Sequence, residues 1–131
     1  MTRKLNILIV DDAKIMRVSL NKSIEKIGHT VVAESADGES SIAAYQKYKP
    51  DLITMDITMQ DMDGITALKK IKEINPEVNI IMVTSHGDEP MVMSALKSGA
   101  KGYILKPISP EKLREAICKI FPELENEIVD E

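Results

Sequence analysis

Apolar and polar positions along the chain switch repeatedly between the period of a strand and the period of a helix. Leu5 to Val10 is a short apolar run of branched residues, as expected of a strand buried on both faces. From Lys14 to Ile27, Met16, Leu20, Ile24 and Ile27 step by four, four and three, a helical stripe closed by Gly28. Thr30 to Glu34 reads as a strand. Glu39 to Tyr48 reads as a helix with Ile42, Ala43 and Tyr45 inward, stopped at Lys49-Pro50 because a residue before proline avoids the α region.

The strand-helix pair then recurs. Asp51 to Met55 is a strand, the loop Asp56 to Gly64 follows, and Ile65, Leu68, Ile71 and Ile74 mark a helix ended by Asn75-Pro76. Asn79 to Thr84 is a strand, and a loop through Gly87 opens a helix from about Glu89 to Ser98, with Gly99 placed to cap it. Gly102 to Leu105 is the last strand. Ser109 is the N-cap and Pro110 the first residue of a final helix running to about Phe121.

Strands alternating with helices in this way predict one α/β domain, a doubly wound five-stranded parallel sheet with helices on both faces. Residues 1–121 form that domain, and 122–131 an acidic C-terminal tail expected to pack poorly. In such sheets ligands bind outside the carboxyl ends of the strands, where strand order reverses.

Composition narrows the class. A chain of 131 residues, 44% hydrophobic and 29% charged, is one domain with a real core. No apolar run is long enough to span a bilayer, and the N-terminus leads straight into the first strand, so the expected location is cytoplasmic. The single cysteine, Cys118, excludes an internal disulfide and a cysteine-built metal site. The net charge is −4, but five acids lie among the last nine residues, so the body is +1 without them. Charge therefore supports neither a nucleic-acid partner nor a membrane surface.

Chemistry gathers at the strand ends: Asp11-Asp12 after the first strand, Asp56 after the third, Thr84-Ser85 after the fourth and Lys106-Pro107 after the fifth. An isolated Asp-Asp is more often a turn, but three carboxylates converging on one sheet edge repel one another. A divalent cation with oxygen ligands relieves that repulsion, and Mg²⁺ suits it best because it needs few carboxylates and keeps its waters. A carboxylate beside Mg²⁺ can also act as a nucleophile and form an acyl phosphate. The metal, the Lys106 ammonium and the Thr84 hydroxyl would together hold the phosphoryl oxygens.

These segments resemble the receiver domains of two-component response regulators, most closely the stand-alone CheY-type chemotaxis regulators. The matching residues are Ile7 to Asp12, Met55 to Met59 with Met62-Asp63-Gly64, Thr84, and Gly99 to Pro107, in order over Leu5 to about Phe121. The resemblance implies the flavodoxin-like strand order 2-1-3-4-5, of which CheY is itself a standard example. It implies Asp56 as phosphoacceptor from a phosphohistidine on a sensor histidine kinase (CheA-like), and Mg²⁺ held by Asp11, Asp12, Asp56 and the backbone carbonyl of Thr58. It implies that Lys106 pairs with the phosphoryl group across a cis bond to Pro107, and that Thr84 and Tyr103 form the switch. It implies further that Thr58 and His86 tune the lifetime of the acyl phosphate.

Two positions depart from the family pattern: Gln60 stands where a proline is usual, and Ile108 where an aromatic is frequent. Met91, Met93 and Tyr103 are the candidate partner surface for a motor switch or adaptor protein, with a phosphatase as a further partner; the methionines read equally as core filler. The expected protein is a monomer in chemotaxis signalling that acts through the receiver's own surface, since ten residues beyond the receiver cannot form an effector, and it is expected to catalyse its own phosphotransfer rather than turn over an external substrate. Onward phosphotransfer to a histidine phosphotransfer protein is the alternative. An aspartyl-phosphate phosphohydrolase lacks its second acid at Thr58 and a cap domain, and a scaffold-only degenerate receiver is disfavoured by the complete residue set. Asp61 and Asp63 do not make a calcium loop, because Met59 and Lys70 would occupy its first and twelfth positions. No glycine-rich nucleotide motif occurs, and His29 is expected in a solvated turn.

Overall fold

A computed structural model describes residues 3–59, 61–85 and 89–124. Its strands are β1 (Asn6–Val10), β2 (Thr30–Ser35), β3 (Leu52–Asp56), β4 (Ile80–Thr84) and β5 (Gly102–Leu105). Its helices are α1 (Lys14–Lys26), α2 (Gly38–Tyr48), α3 (Gly64–Ile74), α4 (Glu89–Lys97) and α5 (Pro110–Ile120). The strands pair in parallel in the order β2-β1-β3-β4-β5, so the sheet is the expected doubly wound five-stranded one.

Strand side chains alternate faces, so the branched runs supply two cores at once. Leu8, Val10, Ile53, Met55, Ile80 and Met82 pack with Ala67, Leu68, Ile71 and Ala95 of α3 and α4. On the other face Ile7, Ile9, Leu52, Ile81 and Ile104 pack with Leu20 and Ile24 of α1 and Leu113 and Ile117 of α5. Strand order reverses between β1 and β3, which are neighbours in the sheet. The outer ends of those two strands are therefore where a ligand is expected.

Local signals stop the elements largely where the sequence puts them. Lys49 leaves the right-handed helical region before Pro50, at φ 44° and ψ 59°. Ser109 caps α5 through Lys112 N–H at 3.1 Å, with Pro110 at its first position. Asp63 caps α3, accepting from Thr66 N–H at 2.8 Å. We expect Asp63→Ala to cost about 1 kcal/mol, read as a lower urea midpoint with unchanged slope; an unchanged midpoint would show that the cap is dispensable.

Three expectations need correction. Ala43 is exposed, and Ala44 packs instead beside Ile42 and Tyr45. His29 is structural: its Nδ1 accepts the Leu5 N–H at 3.1 Å. Packing also runs past Phe121, with Pro122–Leu124 forming a 3₁₀ turn that buries Leu124. The acids at 125–131 lie outside the described residues, as do Gln60 and His86.

Candidate functional site

Strand register assembles the site. Val10 lies opposite Met55, Asp56 opposite Val83, and Thr84 opposite Leu105. The residues just beyond β1, β3, β4 and β5 are thus neighbours although up to about a hundred positions apart in sequence. Main-chain bonds extend this order past the strands. Asp11 N–H donates to Ser35 O at 3.0 Å, Ile57 N–H to Val83 O at 3.1 Å and Lys106 N–H to Thr84 O at 2.8 Å.

Asp11, Asp12 and Asp56 converge, each offering a carboxylate oxygen within 4.8 Å of the others. Asp11 is 1% exposed and Asp56 6%, while Asp12 is exposed. Lys106 Nζ stands 3.1 Å from Asp11 Oδ2 and 3.7 Å from Asp56 Oδ1. One ammonium against three carboxylates leaves the cluster with two uncompensated negative charges when all are ionised. Burial pushes the Asp56 carboxyl up from 3.8 to about 6. The Asp11 charge pushes it the same way, and Asp12 adds less; Lys106 and the Thr58 N–H hydrogen bond oppose the rise.

Asp11 Oδ1 accepts the Ala13 N–H at 2.9 Å, but its Oδ2 is buried without a hydrogen bond and faces the Lys106 ammonium. A buried carboxylate oxygen left short of hydrogen bonds, among hard oxygen donors with excess negative charge, fits a small divalent cation of the Mg²⁺ class.

The other expected residues fall in several places. Thr84 is buried at the end of β4, and Thr58 follows Asp56 with an exposed side chain. The Lys106–Pro107 bond is cis. Tyr103 is 48% and Met93 51% exposed, whereas Met91 is half-buried against the α3–α4 core. Arg17 carries no periodic or motif signal, yet its Nη1 donates to the Asp11 carbonyl at 2.7 Å and its Nε pairs with Glu34 at 3.2 Å. Its pairing with Glu34 arises only when α1 packs on β2.

Comparison with known proteins agrees with this geometry. The model of the response regulator receiver domain matches residues 7–118. Chemotaxis protein CheY of Bacillus subtilis is 48% identical over 113 residues, 86% of this chain and 94% of that protein. CheY of Thermotoga maritima is 44% identical over 114 residues, 87% and 95% of the two chains. Among solved structures, the CheX–CheY–BeF3–Mg²⁺ complex of Borrelia burgdorferi matches with a TM-score of 0.85 at 35% identity, covering 88% of each chain.

Proposed function

Because the chain belongs to the response regulator receiver family, we propose that it is a phosphorylation-driven signalling domain with Asp56 as phosphoacceptor. The observation that carries this reading is the convergence of three carboxylates with the Lys106 ammonium at the reversal point of the sheet.

Asp11, Asp12, Asp56 and the Thr58 carbonyl would hold Mg²⁺, which supplies positive charge against the phosphoryl oxygens. The attacking group is the Asp56 carboxylate. One of its oxygens forms a bond to phosphorus as the P–N bond of a phosphohistidine breaks, and the imidazole departs with the bonding pair and takes up a proton. Lys106 then pairs with a phosphoryl oxygen, and the Thr84 hydroxyl donates to another. Hydrolysis later returns Asp56 to the free carboxylate and inorganic phosphate.

Signalling follows from differential contact. Thr84 and Lys106 contact the phosphoryl group only when it is present, so phosphorylation shifts a two-state equilibrium toward the arrangement in which Tyr103 turns inward. Thr58 and His86, two positions beyond Asp56 and Thr84 in the sequence, set the lifetime of the acyl phosphate. The exposed Met93 and Tyr103, together with the half-buried Met91, support a protein-binding face there.

The CheY relatives support chemotaxis as the pathway. In that reading a CheA-like sensor histidine kinase is the donor, and a motor switch or adaptor protein is the receiver. The CheX–CheY complex supports a phosphatase as a further partner. The protein then acts in the cytoplasm as a monomer, and its chemistry is its own phosphorylation rather than turnover of an external substrate. No described helix is long and apolar enough to cross a membrane.

Incubation with acetyl phosphate and Mg²⁺ should add one phosphoryl mass to the intact chain, removable by hydroxylamine, and chelation of the metal should prevent it. A chain that never gains the mass contradicts the proposal. Proteins retained by the phosphorylated form distinguish the outputs: motor or adaptor proteins fit chemotaxis, and a histidine phosphotransfer protein fits a relay.

A further inference from the structure

Between β3 and α3 the chain crosses the edge of the acidic cluster. Its start is held by Ile57 N–H on Val83 O at 3.1 Å, and its end by Gly64 N–H on Ile57 O at 2.7 Å. Between these anchors Asp61 reaches across to α2. Its Oδ1 accepts the Gly38 N–H at 3.0 Å and its Oδ2 the Glu39 N–H at 3.2 Å, from residues more than twenty positions away.

Helix α2 already has its own cap. Asp37 accepts the Ser40 N–H at 2.7 Å, so one of the helix's first amides is held from within the helix itself. The second carboxylate takes the two preceding amides of the same helix from across the loop, and so ties two elements together. Packing is tight at the same place: a Cβ on the buried Gly38 would meet the Met62 side chain at 2.8 Å. The Gly38 and Glu39 amides also hold the Asp61 carboxyl below the usual carboxylate range, so it is charged at neutral pH.

We infer that Asp61 is a positioning residue, whose bidentate hold on the first amides of α2 keeps the β3–α3 loop, and with it the Thr58 carbonyl, in place for a hard divalent cation. The inference deepens the function proposed above and rests on it for the cation. Asp61 stands outside the Asp11–Asp12–Asp56 carboxylate cluster. It acts through the loop, much as outer hydrogen bonds orient metal ligands in other sites.

Asp61→Ala, Asp61→Asn and Asp37→Ala separate this role from simple helix stability. All three weaken the start of α2, but only the first two cut the loop's tie. The full chain is titrated with MgCl₂ by calorimetry, and amide hydrogen exchange at Thr58 and Met59 is followed in metal-free buffer. Asp61→Ala should weaken Mg²⁺ binding about tenfold and speed exchange at both amides to a similar degree. Asp61→Asn, which keeps one acceptor oxygen, should fall between it and the wild type. Asp37→Ala should stay within about twofold of wild type in both readouts. Wild-type behaviour of Asp61→Ala, or equal changes in Asp37→Ala, would overturn the inference. Failure of the wild type to take Mg²⁺ would instead remove the metal reading, and the exchange arm alone would then judge the tie.

Discussion

Asp56→Asn should abolish phosphoryl uptake and, in metal-free buffer near neutral pH, make the fold more stable. Both effects come from one carboxylate. The amide cannot attack phosphorus as the carboxylate does, so the rate of mass gain from acetyl phosphate should fall by at least about 100-fold. An Asp56→Asn chain modified as fast as wild type would remove Asp56 from its proposed role.

The stability gain follows from the raised carboxyl. Asp56 titrates near 6 in the folded chain, against 3.8 for its ordinary value, because burial and the Asp11 charge disfavour ionisation. Below about pH 4 the group is protonated in both folded and unfolded chains and carries no penalty. As pH rises through about 6 the folded chain must ionise it in the acidic cluster, and stability is lost. A gap of about two pH units corresponds to roughly 3 kcal/mol, and relaxation of the site brings the expected cost to about 1–3 kcal/mol. Urea midpoints between pH 4 and 8 should therefore show a decline in wild type that Asp56→Asn lacks. Added Mg²⁺ should stabilise wild type more than the variant, because it binds the folded site. Parallel pH profiles for the two chains would contradict the electrostatic account.

Gly64→Ala should be among the most damaging single methyl additions at the site. A Cβ there would fall on the Asp56 carbonyl oxygen, with the Asp56 carbonyl carbon and Ile57 Cα each at 3.0 Å. All of these are main-chain atoms, and the Gly64 N–H bond to Ile57 O at 2.7 Å keeps them close. No flexible side chain can move aside. The expected cost is about 3 kcal/mol or more, with a melting temperature lower by about 10 °C. Gly102→Ala is the control, since nothing lies within 4 Å of its added carbon. Its change should stay within about 0.5 kcal/mol. Equal stability of the two variants would show that the main chain at Asp56 gives way more easily than its contacts imply.

Much of this site is legible in the sequence for a simple reason. Asp11, Asp12, Asp56, Thr84 and Lys106 each follow an apolar strand run, and in a parallel sheet all such ends lie on one edge. Arg17 and Asp61 are different. Arg17 is an ordinary polar position on α1, and Asp61 is one of two acids before a glycine. Their partners, the Asp11 carbonyl and the Gly38 and Glu39 amides, are main-chain groups that no side-chain pattern marks.

The sequence by itself determined the kind and order of the elements, because strand and helix periods are written in neighbouring residues. It also determined which chemical groups stand at the strand ends, and its motifs carried the family resemblance. Finer facing was beyond it: the inward residue of α2 is Ala44 and not Ala43, since helical phase drifts where apolar positions are sparse. Only the tertiary structure decided how far apart the charges sit and how deeply they are buried. The 4.8 Å carboxylate cluster, the Lys106 contacts at 3.1 and 3.7 Å and the rise of Asp56 to about 6 depend on strand register and on side chains far away in sequence. Coulomb energy and desolvation are set by distance through space and by the medium between the groups, and the folded chain alone supplies both.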